Sequence, residues 1–291
     1  MKKFLLFAAA ALVTSGTLLG QDKEDKKVRF GLRVSPTPTW LRSNDKKLVE
    51  KSSTKFGFGF GLQVEIRINS TAAFVTGIGG DFMGGKQSYK NGQGYVLNKD
   101  NGYTDSKNTK YGTDPQALYN ATQNPNSGNG DKLFEIKTRD IKTTYVTLPV
   151  LLKLMTKDIN GFKYFGMFGG NLAFMTKFKA TDEITELKYN TVSNIYETGG
   201  TSSITDMRPK GDLIPFNIGL NVGLGLEYNL SGSTSAFVSI NYLRGFINQY
   251  RGTSDIMLEK LRENVNTNNI PSRAKQTAFV DGIQINLGML F

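Results

Sequence analysis

Between Ile214 and Leu230 every second residue is apolar, and no residue between them is. The apolar set is Ile214, Phe216, Ile218, Leu220, Val222, Leu224, Leu226, Tyr228 and Leu230; the other set is Pro215, Asn217, Gly219, Asn221, Gly223, Gly225, Glu227 and Asn229. Successive side chains of a strand point to opposite faces, so a period of two kept over this length describes a β-strand whose two sides meet different surroundings. The segment "FGFGFGLQVEIRI", 56–68, repeats the pattern, with Phe56, Phe58, Phe60, Leu62, Val64, Ile66 and Ile68 facing one way and glycine, glutamine, glutamate and arginine the other. Weaker copies over 28–35, 71–84, 138–155, 162–179, 234–248 and 276–291 bring the expected number of strands to eight. In the fourth strand the outward set is Val146, Leu148, Val150, Leu152 and Leu154; in the fifth it is Phe162, Tyr164, Phe168, Leu172, Phe174 and Phe178.

The connections alternate in length. Strands two and three meet at Asn69 and Ser70, four and five across "KDING", and six and seven across "SGST", whereas 36–54, 85–137, 180–212 and 249–275 are long and polar. Antiparallel strands with short turns at one rim and long loops at the other predict an all-β fold: an eight-stranded, up-and-down transmembrane β-barrel of an outer membrane, with its turns in the periplasm and long extracellular loops. Closure follows from the solvent, because an open sheet edge in hydrocarbon leaves N–H and C=O groups unpaired at several kcal/mol each. A soluble sandwich gives the same period of two, with the apolar face buried. Against it stand the glycine crowding of the polar face, which suits a tightly curved wall, the loop alternation, and the ending "INLGMLF", which resembles the assembly signal of outer-membrane barrels.

Lys2 and Lys3 precede the apolar run "FLLFAAAALV", so residues 1–20 are expected to be a secretory signal peptide, 21–27 a short periplasmic segment and 28–291 the barrel. No stretch approaches the length of a transmembrane helix. The chain has 36 basic and 25 acidic side chains; without Lys2 and Lys3 the excess is +9, which favours anionic lipid headgroups as neighbours. That charge is scattered and accompanies no nucleic-acid-binding motif. With no cysteine, neither a disulfide nor a lipid anchor on cysteine is available. With no histidine, the commonest general base and the commonest metal ligand are both missing, so no Ser-His-Asp triad, zinc site or HExxH motif can form, and no catalytic activity, metal or cofactor is expected.

Within the lumen, Glu65, Arg67, Lys153, Lys163 and Glu227 are expected at one level near the periplasmic rim, as a charge network that fills the narrow bore or lines a small conduit. Lys177 and Lys179, at the outer end of the fifth strand, face solvent or lipid phosphates. Pro36, Pro38, Pro149 and Pro215 each remove a ladder donor, so bulges or strand ends are expected there. The glycines of "FGFGFG", "GIGG" and "GLGLEY" complete no dinucleotide fingerprint, and "NKDNGYTDSKN" and "NPNSGNGD" lack EF-hand spacing. Two loop helices are expected, one at "DPQALYNA" with Asp114 as cap and Pro115 in the first turn. The other is at 254–265, where Met257, Leu258, Leu261 and Val265 share one face and form a lid or a partner-binding surface.

The segments "YVTLPVLLK" (145–153), "FGMFGGNLAFMTK" (165–177), "NIGLNVGLGLEYNL" (217–230), "INYLRGFIN" (240–248) and the final "INLGMLF" resemble, in order and spacing, the PorT-like outer-membrane β-barrel family of Bacteroidetes. That resemblance implies an eight-stranded barrel and, for some relatives, work in protein export by type IX secretion and in gliding; it supplies no catalytic residues. The expected partners are outer-membrane lipid, both lipopolysaccharide and phospholipid, and other envelope or secretion proteins, with no nucleic acid. The function expected first is a non-enzymatic barrel that presents surface loops or binds envelope partners; the alternative is a narrow pore for small solutes or ions.

Overall fold

The computed structural model describes residues 27–96, 103–104, 110–111, 133–190, 192–193, 195–207, 213–259 and 273–291. Eight long strands close a ring: β1 (Val28–Arg42), β2 (Lys55–Arg67), β3 (Ala72–Tyr89), β4 (Leu133–Met155), β5 (Phe162–Asn190), β6 (Phe216–Ser231), β7 (Thr234–Gly245) and β8 (Phe279–Leu290). Each pairs antiparallel with its sequence neighbours, and β8 returns to β1 with Gly31 opposite Leu290 and Arg42 opposite Phe279. The tight connections are all at the rim that carries both strand termini. At Asp158–Gly161 the Asp158 carboxylate accepts the Gly161 N–H at 2.8 Å, and Gly161 takes φ +84°, a conformation that glycine enters without a Cβ penalty.

Around the middle of the ring the outward side chains are large and apolar on every strand, among them Phe30, Phe58, Leu62, Ile78, Leu148, Phe168, Leu224, Ile240 and Leu287. Leu224 is 74 % exposed. A soluble surface has no use for a continuous apolar girdle, whereas hydrocarbon requires one. Aromatic side chains gather at both margins. Phe162 and Tyr228 meet as tilted rings 4.7 Å apart between centres near the periplasmic turns, and Phe60 and Phe82 lie 6.2 Å apart on the upper half.

The strands do not stop where the girdle stops. A bilayer needs about 9–11 residues of tilted strand, while β4 has 23 and β5 has 29. Among the described residues, the segments expected to be loops are largely strand. Val49–Ser53 pairs with the top of β3, Gly94–Val96 with the top of β4 and Ile195–Met207 with the top of β5, so the wall continues outward.

The change of surroundings falls at an irregularity. Thr144 lies opposite Lys177, but Tyr145 lies opposite Met175, so Thr176 is an extra residue in β5. Below it the even positions of β5 face out, as Phe174 does at 57 % exposure. Above it they face in. Phe178, which the alternation places outward, is therefore 8 % exposed and packs inside, together with Ala180 and Ile184.

The prolines behave differently from expectation, except for Pro215, which lies just before β6. Pro36 and Pro38 sit within β1, opposite Phe58 and Phe56 with unbroken register. Toward β8 the pairs between Val34 and Thr39 are missing, but Val34–Leu287 and Thr39–Gly282 keep one register across the gap. Both prolines turn their missing N–H toward the same neighbour, and the second ladder holds the strand in place. Pro149 behaves alike: the ladder to β3 lapses between Val150–Thr76 and Thr147–Gly79, while Pro149 stays paired with Asn171 on β5.

Candidate functional site: the lumen and the mouth

Four buried charges lie near the periplasmic rim. β1 supplies Arg29, β2 Glu65, β4 Lys153 and β6 Glu227, each at an inward position and none more than 2 % exposed. Lys153 Nζ donates to Glu65 Oε2 and to Glu227 Oε2, both at 2.7 Å. Across from it the Arg29 guanidinium bonds Glu227 through Nη1 at 2.5 Å and Nη2 at 3.1 Å, and Glu65 through Nε at 3.2 Å and Nη2. Cations and carboxylates thus alternate around a square, and each charge faces two of opposite sign. Buried ions persist only when paired and hydrogen-bonded to this degree. Lys153 Nζ also sits 4.3 Å from the centre of the Phe165 ring.

Of the five lumen residues expected together, Glu65, Lys153 and Glu227 meet in this square. Arg67 lies at its edge, with Nε 3.9 Å from Glu65 Oε1. Lys163 is the cross-strand partner of Glu227 but is half-buried, and no ion pair among the described residues reaches it. Arg29 was not among the expected set, although Arg29, Gly31 and Arg33 alternate with Phe30, Leu32 and Val34 and so share the inward face by the same rule.

The polar inner face also carries an unexpected apolar collar at this level. Ala73, Val75, Leu151, Met155, Phe165, Met167, Phe237 and Leu290 pack around the charges. Glycine makes room for them: a Cβ on Gly225 falls 2.5 Å from the Phe165 ring, and one on Gly288 falls 2.5 Å from the Phe237 ring. The inward glycines here accommodate the large side chains of neighbouring strands, a closer reason than wall curvature.

Above the collar a polar chain crosses the bore. Arg33 Nη1 donates to Ser35 Oγ at 2.9 Å and to Asn286 Oδ1 at 3.2 Å. Asn286 Nδ2 donates to Asn241 Oδ1 at 3.0 Å, Asn241 Nδ2 to Asn221 Oδ1 at 2.7 Å, and Asn221 Nδ2 to Asn171 Oδ1 at 3.1 Å. Beside it Asp81 accepts from Thr147 Oγ1 at 2.5 Å and from Gln284 Nε2 at 3.3 Å. Along the bore, cavities of about 40 and 20 Å³ lie among the described residues, space for a few water molecules.

The top of the bore is apolar again. Leu41, Ile136, Ile141, Phe178, Ile184, Met207 and Val280 line it, and Tyr250, Met257, Ala274 and Ala278 of the connection between β7 and β8 fill it. Met257 and Leu258 were expected on one face of a helix over 254–265; they lie instead in a strand, Thr253–Leu258, which pairs with Arg273–Lys275, and both are fully buried. Their neighbours in that expectation, Leu261 and Val265, lie outside the described residues, as does the helix expected at "DPQALYNA". Strand pairing inside the mouth has overridden the helical spacing.

Polar contacts also fasten this plug, two of them through Arg139 and Gln249. Arg139 holds Asp182 bidentately, Nε–Oδ1 2.8 Å and Nη2–Oδ2 2.7 Å, and reaches Gln276 Oε1 at 3.4 Å; Gln249 Nε2 donates to Tyr145 Oη at 2.7 Å. Burial pushes the Tyr89 phenol up, against the opposing field of Arg139.

A closed eight-stranded ring with a lipid-facing girdle and a filled bore defines an outer-membrane β-barrel. The chain belongs to the family described as outer membrane protein beta-barrel domain, whose model matches residues 19–251. Among solved structures it is similar to neisserial surface protein A, with 10 % identity over 92 % of this chain and 100 % of that one and a TM-score of 0.36. It is also similar to a major outer membrane protein of Thermus thermophilus, with 13 % identity, 91 % and 100 % coverage and a TM-score of 0.34. A third similar barrel is the attachment invasion locus protein Ail of Yersinia pestis, with 13 % identity, 91 % and 100 % coverage and a TM-score of 0.29. No curated protein matches the chain. The protein resides in the outer membrane of a Gram-negative cell.

Proposed function

We propose that this barrel is a non-enzymatic membrane anchor that holds a stiff extracellular extension in place for envelope partners. The observation that carries this reading is the filled bore: charge square, apolar collar, polar chain and apolar plug lie in succession along it. A chain with neither histidine nor cysteine is poorly equipped for nucleophilic or metal-assisted chemistry, which supports a binding role over catalysis. The likeness to PorT-like barrels suggests the partner class, components of a type IX-like secretion machinery. Lipopolysaccharide and phospholipid are the lipid neighbours in this reading.

The test is photo-crosslinking in intact envelopes from Thr198, an exposed position of the outermost strand, against the same probe at Leu224 on the lipid face. Discrete protein adducts at Thr198 with lipid adducts at Leu224 are expected; lipid or no adducts at both positions sinks the anchor reading. The second reading, a narrow pore, draws support from the small cavities within the bore, lined by both polar and apolar side chains. Planar-bilayer recording separates the two. A steady conductance, raised by Met257→Asp in the plug, favours the pore.

A further inference from the structure

We infer that the outer wall of β3, β4 and β5 is a binding site for the phosphate groups of an anionic glycolipid of the outer leaflet, held by Lys86, Lys142, Lys177 and Lys179. This rests on the lipid-facing reading of the girdle, and its position follows from the register. Phe58 and Phe82, both exposed to lipid, begin a cross-strand row that continues through Thr144 to Lys177. Two residues further out along the strands, Lys142 faces Lys179 directly, and two further still Lys86 faces Asp140.

These lysines form a contiguous diagonal across three strands, starting in the row of Phe58 and Phe82, with exposed Phe56 one outward position beyond them on β2. Two residues of strand rise about 7 Å, so the stripe lies at the depth of lipid headgroups, where lysines snorkel toward phosphate.

The local charge balance leaves the stripe short of anions. Lys55 is paired with Asp140, and Lys179 Nζ lies 2.6 Å from Asp206 Oδ2. Lys86, Lys142 and Lys177 are exposed and make no ion pair among the described residues. Like charges directly opposite on neighbouring strands repel, yet Lys142 and Lys179 are held so by the ladder. A bound dianion between them turns that repulsion into attraction.

The opposite wall is built otherwise. Phe216 on β6, Phe246 just past β7 and Trp40 on β1 stand near the same margin, with Arg244 as the exposed cation there. On the β3–β5 wall several cations occupy neighbouring outward positions. A free phosphate would meet the same lysines, but the aromatic residues beneath them fit acyl chains, which favours the lipid.

The test uses the full-length protein refolded in detergent, with native mass spectrometry of the complex formed with bisphosphorylated lipid A, with dephosphorylated lipid A and with inorganic phosphate. Wild-type protein is expected to retain bisphosphorylated lipid A, and the triple variant K86E/K142E/K177E to retain about a hundredfold less. K275E, exposed but far above the girdle, is expected to match wild type.

Equal retention of dephosphorylated lipid A, or of bisphosphorylated lipid A by the triple variant, overturns the proposal. Displacement by inorganic phosphate alone also overturns it, since the ligand is then a solute rather than a lipid. Heat-modified gel migration reports the closed barrel independently: loss of lipid with the barrel intact separates this site from the girdle on which it rests. If the triple variant fails to fold, K177Q alone is expected to lose about fivefold, and no loss in that variant overturns the site.

Discussion

The lower and upper halves of this barrel are made by the same strands and are turned inside out relative to each other. In the lower half, apolar side chains such as Phe168 and Leu224 face out and charges such as Glu65 and Lys153 face in; in the upper half Phe178 and Ile184 face in while Lys177 and Lys179 face out. Nothing in strand pairing demands the reversal. The solvent does: below the margin the outside is hydrocarbon, and above it the outside is water. β5 makes the change with one residue, Thr176, placed at the boundary.

The largest expected effects come from removing one buried charge in each half. Arg29→Met leaves Glu65 and Glu227 to Lys153, with Arg67 only at the edge of the square, and Arg139→Met leaves the buried Asp182 without its bidentate partner. Each is expected to cost about 3–5 kcal/mol, measured by denaturant unfolding with the fluorescence of Trp40, the sole tryptophan. The halves should then differ in how they fail. Arg139→Met is expected to expose the extension to protease while the girdle stays folded, whereas Arg29→Met lowers the stability of the closed ring itself. If Arg139→Met abolishes heat-modified migration, the two halves are one cooperative unit and the contrast between them is wrong.

Next in size is a charge placed on the outside of each half. Leu224→Arg lies in the girdle and is expected to destabilise by about 2–4 kcal/mol. Thr181→Arg, also outward but above Lys177 and Lys179, is expected to change stability by less than about 0.5 kcal/mol. Equal costs for the two would mean that the girdle ends higher than Phe174. A smaller effect is expected inside: Gly225→Ala drives a methyl against the Phe165 ring and the Val238 carbonyl, at about 1–3 kcal/mol by the same assay.

What the sequence made legible follows from the same contrast. Wherever one face meets lipid, the alternation is nearly pure, so the eight strands and the outward set from Phe58 to Leu224 could be read directly. Glu65, Lys153 and Glu227 were legible as the opposite phase of that signal. Arg29 belongs to it too, on a strand whose clean alternation before Pro36 is short. The upper half was illegible for a definite reason: its strands keep the period of two, but the two faces exchange surroundings and the outward residues are polar, resembling loop composition. A bulge leaves no mark on composition, so Phe178 continued the outward series on paper. Met257 and Leu258 satisfied a helical spacing as well as a strand, and the pairing with Arg273–Lys275 that decided between them is distant in sequence.

The smallest expected effect tests the bulge itself. Phe174 faces out, Met175 faces in, and Lys177 again faces out, so Thr176 is the residue that the regular alternation does not need. Deleting it lets Lys177 follow Met175 in register with Tyr145 and Thr144, and leaves Phe178, Ala180 and Ile184 on the inward face. What is lost is one hydrogen bond, from Thr176 Oγ1 to the Thr144 carbonyl at 3.2 Å, set against a more regular ladder. The expected change is within about 1 kcal/mol, with Trp40 unfolding and protease resistance of the extension both near wild type. Deleting Ala173 instead, on the lipid side of the boundary, forces Phe174 inward and Met175 outward before the bulge can absorb the change. A larger loss is expected there. Equal tolerance of the two deletions would show that the wall can slip freely past the membrane margin, and that the position of Thr176 is not what sets the boundary.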